Sequence, residues 1–259
     1  MELQKADKKK KITERLFIWC LFGISILSAV LFAWIIFWLL KSGIPALNTE
    51  FLVTKTSVIE GNIGIREYLF NTWCILLSTL VLAGMMGIMT AVYLCEYGKN
   101  QKILKKVHFA IEILAGIPSI VFGLFGMVFF GEVMELGYSL FTGSLTLTIM
   151  VPIMIKSTKT AIEEVPNSYK MGALSLGAGK WYMVRTILLP QAFSGIAAGF
   201  TLSAGKILGE SAALLFTAGS KGSLSVAIYL FLSKGWMKEA YAAALLLLGM
   251  MFILNLLLQ

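Results

Sequence analysis

"ALSLGAGKWYMVRTILLP", Ala173 to Pro190, is the stretch on which the reading of this chain turns. Lys180, Arg185, Trp181 and the glycines Gly177 and Gly179 interrupt a chain in which 58% of residues are hydrophobic and 14% charged, with mean hydropathy +0.83. Soluble proteins average about a quarter charged residues, so the chain as a whole is suited to a bilayer. The segment around the quoted stretch then reads as two short helices parted by Gly177 to Gly179. The first covers Asn167 to Leu176, with Ser168 as its expected cap after Pro166; the second covers Lys180 to Leu188, with Trp181, Val184 and Leu188 at helical spacing. Apolar and small groups on an exposed helical hairpin make a docking knob, whereas a plain connection would be shorter and more polar.

Apolar runs on either side reach the roughly 20 residues that cross about 30 Å of hydrocarbon as helix, and no short alternating strands of the membrane-barrel kind occur. The fold class expected is therefore all-α, a polytopic membrane protein with six transmembrane helices. The spans are placed at Leu16 to Leu40, Tyr68 to Cys95, Val107 to Phe130, Ser144 to Thr160, Ile187 to Phe216 and Ala240 to Leu258. Residues 1–15 form a basic tail, 16–67 the first span with an outer loop, and 68–259 a core of five spans with a hairpin at about 163–186. The first span is too long for a signal-peptide core and lacks a small-x-small cleavage site, so it is read as an anchor.

Lys and Arg are retained on the cytoplasmic side, and their distribution sets the orientation. With the N-terminus inside, the inner side carries six in the tail, four in Lys99 to Lys106 and five from Lys156 to Arg185. The outer side carries Lys41, Lys55, Arg66, Lys221, Lys234 and Lys238. Both termini are expected in the cytoplasm, and the net charge of +8 is a topology signal with no need of nucleic acid. Cys20, Cys74 and Cys95 are odd in number and lie in or at the ends of spans, where they read as small apolar fillers and not as a disulfide framework. His108 reads as an interfacial side chain; a proton relay would need ionisable partners around it.

No ATP-binding loop is present, because Gly98-Lys99, Gly179-Lys180 and Gly205-Lys206 each lack the earlier Gly and the following Ser or Thr. No cluster of His, Cys and carboxylates suits metal or nucleophilic chemistry, so the chain is not read as an enzyme. Glycines within the spans, Gly195 and Gly199 among them, allow close helix packing. Pro118 and Pro152 bend spans three and four, either around a pathway or as plain structural kinks. Span five, with the residues that continue it to Ala218, would be about 48 Å long as one helix, so it must tilt or break, with "GKILGES" at its weakest point. Lys206 and Glu210 stand there four residues apart, each costing about 2.5 to 3.5 kcal/mol near a bilayer centre. They are either a structural ion pair or the charges of a pathway.

The quoted stretch, extended to "MGALSLGAGKWYMVRTILLP", resembles the EAA loop of ABC importer permeases, a cytoplasmic helix-turn-helix. Gly177 fills the motif glycine, Ala173 its second alanine, and Ile187, Leu189 and Pro190 its ending. Met171 stands where a glutamate is usual and Gly172 where the first alanine is. "EYGKNQKILKKVHFAIEILAGIPSIVFGLFG", "KTAIEEVPNSYKMGALSLGAGKW" and "GKILGESAALLFTAG" with "SLSVAIY" are similar to the PstA permeases of the phosphate-specific ABC importer, from about Asn71 to the C-terminus. "GESAALLFTAG" sides with PstA over the sister permease PstC. In that family the cations of spans four and five are usually arginines, and Lys156 and Lys206 stand at the matching places.

The resemblance implies a type I importer permease in a bacterial or archaeal cell membrane. It would pair with a PstC-like permease, dock two PstB-like ATPase subunits that hold ATP and magnesium, and receive inorganic phosphate from a PstS-like binding protein. The chain itself would hold no cofactor and no metal. Lys206, Glu210, Lys156 and Ser211 are the residues implied for translocation or gating; Met171, Gly172, Ala173, Leu176, Gly177, Lys180 and Trp181 are those implied for coupling to the ATPase. Other readings are a permease for sulfate or molybdate, the PstC-type sister subunit, and a transporter independent of ATP. The last has no use for an exposed docking hairpin.

Overall fold

The structure, a computed structural model, describes residues 2–56, 62–149 and 151–258. Part of the expected outer loop (57–61), Met150 in expected span four and the terminal Gln259 lie outside the described residues, as do the side chains of the basic tail up to residue 13. Helices account for nearly everything described, in this order: α1 Glu2–Gly43, α2 Thr49–Val53, α3 Arg66–Tyr97, α4 Gln101–Gly116, α5 Ser119–Val133, α6 Leu140–Thr148 and α7 Pro152–Glu163. There follow α8 Asn167–Ser175, α9 Lys180–Gln191, α10 Phe193–Gly209, α11 Ala212–Thr217, α12 Leu224–Ser233 and α13 Met237–Leu258. Three of them, within α1, α3 and α13, are long and apolar enough to cross a membrane unbroken.

The remaining expected spans are broken helices, and the breaks have identifiable causes. Expected span three is not one helix from Val107 to Phe130: α4 and α5 meet at 99°. Ile117 is extended (ψ 131°) because the ring of Pro118 excludes the helical conformation from the residue before it. Asn100 caps the start of α4, its side chain accepting the Lys102 N–H at 3.0 Å. Leu104, Val107 and Ile111, at helical spacing, pack with Leu94 and Ile155, while Lys102, Lys105 and Lys106 stay exposed.

Expected span five also differs. It bends by 68° between α9 and α10, where Pro190 cannot donate into the helix and a widened turn at Val184–Leu188 precedes it. It ends at Gly209, and Phe216 belongs to the separate helix α11. What sequence reading took for an outer loop after span five holds α12 as well. At ten residues α12 is too short to cross a bilayer, and its first turn is held from outside: the Leu224 N–H donates to Thr72 Oγ1 of α3 at 2.9 Å. Ser168 does not cap α8: Pro166 holds the cap position before Asn167, and no side-chain cap bond is made.

Two packing centres lie along α3. Towards its first end, Ile65, Tyr68, Ile75 and Leu76 pack with Leu147, Leu208, Leu214, Leu224 and Phe231. At its last turn, Val92 joins Ala161, Ile162, Val165, Ala173, Met183, Val184, Leu188 and Ile196. The second centre welds the hairpin to α3, α7 and α10. The small pair Gly195 and Gly199 is what lets α10 lie on α7: a Cβ on Gly195 would meet Ala161, one on Gly199 would come within 2.9 Å of Ser157, and Ser157 Oγ donates to the Gly195 carbonyl at 3.0 Å.

Candidate functional site

The hairpin is α8 and α9. Gly177 has φ +81°, the left-handed region that suits glycine, and it sits at the first position past the α8 cap residue Leu176. There the Ala178 N–H reaches back to the Ala173 carbonyl (3.1 Å) and the Gly177 N–H to the Leu174 carbonyl (3.0 Å), which satisfies the carbonyls left over at the helix end. The turn exposes an apolar tip. Leu176 is 90% exposed, and Met171, Leu174, Trp181 and Tyr182 are exposed beside it. Gly172 is exposed with open space around it. Ala173 is different: it is buried in the packing centre beneath the hairpin and faces the spans.

A polar lock joins the hairpin to α3. Lys170 Nζ on α8 meets Glu96 Oε1 at 2.6 Å, with the two side chains 19% and 11% exposed. Lys180 Nζ on α9 donates to the Glu96 backbone carbonyl at 3.2 Å and lies 5.9 Å from the centre of the Tyr97 ring. One residue thus holds both arms of the hairpin, one by its carboxylate and one by its main chain. Glu96 and Lys170 were not singled out from the sequence, since nothing local links residues so far apart.

The second feature is an open face shared by α7 and α10. Between Ile153, Lys156, Ser157, Thr160, Ala161 and Glu164 on one side and Gly195, Ala198 and Leu202 on the other lies a groove of about 430 Å³, so one carboxylate lines it as well as the Lys156 ammonium. Lys206 follows Leu202 by one turn on the same exposed face of α10. Lys156 and Lys206 both lie exposed, and neither has a carboxylate within ion-pair distance among the described residues. Of the two readings open for Lys206 and Glu210, the structural ion pair is not formed. Because α10 stops at Gly209, Glu210 leaves the helical face (ψ 112°) and turns inward, where it is 8% exposed. Its Oε1 accepts the Ala213 N–H at 3.2 Å, and its carbonyl accepts Ser225 Oγ at 2.7 Å. Ser225 in turn pairs with Ser223 at 2.6 Å. Ser211 starts α11 without a side-chain cap bond. Glu210 is therefore the joint between two helices, and the cations stand apart from it. His108 is half-buried on α4 and has no ion-pair partner among the described residues.

Bent apolar helices beside an open groove, with an apolar hairpin locked to the end of α3, are the frame of a membrane transport subunit. The chain belongs to the family of binding-protein-dependent transport system inner membrane components, whose model matches residues 74–259. It is 38% identical over 215 residues to the probable ABC transporter permease protein YqgI of Bacillus subtilis, covering 81% of this chain and 72% of that one. It is 31% identical to the phosphate transport system permease protein PstA of Pasteurella multocida, covering 86% and 84% of the two chains. Among solved structures it shares its fold with the inward-facing MetNI methionine ABC transporter (TM-score 0.65, 20% identity, 74% of this chain and 91% of that one). The bacterial alginate ABC transporter in complex with an alginate-bound periplasmic protein also matches, with TM-score 0.71 and 16% identity over 93% and 92% of the chains.

Proposed function

We propose that this chain is a permease subunit of an ATP-driven importer of inorganic phosphate. The similarity to PstA permeases supports the cargo, and the carrying structural observation is the hairpin fastened to α3 and bearing an exposed apolar tip. The six-span topology counts α1, α3 and α13 together with the bent pairs α4–α5, α6–α7 and α9–α10 as one crossing each, with both termini cytoplasmic. The open face of α7 and α10 then meets a PstC-like permease, the two PstB-like ATPase subunits bind ATP and magnesium, and a PstS-like receptor delivers the anion.

The chemistry follows from the residues. ATP-driven closure of the ATPase pair moves the docked tip at Met171, Leu176 and Trp181. Lys170, Lys180 and the packing centre below pass that motion to α3, α7 and α10. Lys156 and Lys206, unpaired within this chain, offset the dehydration of a passing oxyanion. Ammonium groups hold it as point charges, without the two-pronged grip of a guanidinium, which favours release. Complementation of a strain lacking its PstA-type permease, read as uptake of labelled phosphate with arsenate, sulfate and molybdate as competitors, tests this. Uptake inhibited by arsenate is expected. Uptake displaced by sulfate or molybdate, or persisting without the ATPase, overturns it.

A further inference from the structure

At the end of α3 away from the hairpin, about 48 Å along the helix, a cavity of about 430 Å³ opens between the start of α3 and the link from α11 to α12. Lys55, Arg66 and Lys221 all line it, together with Glu67, Phe70 and Asn71. Its one carboxylate among the described lining residues is already engaged, since Glu67 Oε1 lies 2.8 Å from Lys55 Nζ. Asn71 donates to the Lys221 main-chain carbonyl at 2.8 Å, which fixes the position of Lys221 against α3. Arg66 and Lys221 are left beside one concave space with no carboxylate within 4.0 Å among the described residues. Both are exposed where they line it, and a guanidinium with an ammonium on one cavity is a pairing that suits a tetrahedral oxyanion. The Lys55–Glu67 pair, its side chains 65% and 52% exposed, occupies the Glu67 carboxylate and leaves Arg66 and Lys221 as the cations that face an incoming anion.

We infer that this cavity is a reception site for a tetrahedral oxyanion, loading the pathway before the anion reaches Lys156 and Lys206. Phosphate as its ligand, and its opening towards the receptor side, rest on the function proposed above. Lys55, Arg66 and Lys221 line a concave space of a size that admits a small anion.

A cysteine in the wall tests it. In the assembled importer in vesicles, with Cys20, Cys74 and Cys95 replaced by Ala, Phe70→Cys should react about tenfold faster with a negatively charged methanethiosulfonate than with a positively charged one. Millimolar inorganic phosphate should slow that labelling severalfold while chloride does not. Combining Arg66→Gln with Lys221→Gln should abolish both effects, and Arg66→Lys should keep part of each. Absence of protection by free phosphate while phosphate uptake continues overturns the site alone. Protection only by the loaded receptor also overturns it and makes the surface a docking face. Protection by sulfate, with sulfate the transported ion, upholds the site and overturns the phosphate assignment.

Discussion

The joint between hairpin and α3 gives the sharpest prediction. Lys170 Nζ and Glu96 Oε1 are 2.6 Å apart with side chains 19% and 11% exposed. At an effective dielectric of about 20 their attraction is ~6 kcal/mol, and desolvation of the two groups takes back most of it. Removing one partner strands the other charge in a nearly closed site, which costs about 3 kcal/mol, or roughly a hundredfold in the docked-to-undocked ratio of the hairpin. Glu96→Leu and Lys170→Met, each alone, should therefore lower phosphate uptake sharply in vesicles reconstituted with the ATPase, while ATP hydrolysis continues. Fewer anions should enter per ATP. The double variant, with no stranded charge, should recover much of that ratio, and the Lys180 bond to the Glu96 carbonyl remains in all three as an internal control. Single variants with the native ratio, or a double variant no better than the sum of the singles, would refute the idea that this pair carries the coupling.

Three further outcomes follow from the geometry. Gly177→Val places a branched side chain at φ +81°, at a cost of about 1–2 kcal/mol, and should reduce ATPase co-purification while the thermal stability of the spans holds. Gly195→Leu forces α10 away from Ala161 on α7, and should abolish assembly, read as loss of the intact complex on size-exclusion chromatography. Glu210→Gln keeps an acceptor for the Ala213 N–H, so it should retain more uptake than Glu210→Ala, which loses about 1 kcal/mol of capping; Lys206→Ala should abolish uptake with assembly intact. Equal loss in both Glu210 variants would mean that the charge matters and the joint does not.

What could be seen in the sequence was whatever short-range rules govern. Gly177 and Gly179 between two apolar helical stretches marked the hairpin because the glycine turn is local, and the run after Ile187 was too long to cross a bilayer unbroken. Bends at Pro118 and Pro190 obey local rules too, but their angles depend on what the two halves pack against. Spacing alone left Lys206 and Glu210 open between an ion pair and pathway charges, because four residues bring side chains together only if the helix continues, and it stops at Gly209. α12 escaped notice because its start is held by Thr72, far away in the chain. Lys170 and Glu96 were invisible for the same reason: their meeting is a product of the fold.

The breaks at Ala192 and Glu210 bound α10 on both sides, whereas α3 runs past the same neighbours without interruption. A rod interrupted at each end takes its bearing from what it leans on, and for α10 that is α7, against which Gly195 and Gly199 leave no room for a Cβ. The direction in which Lys206 and Leu202 face is thus set by one helix-to-helix seam, while the unbroken column beside it follows its own ladder.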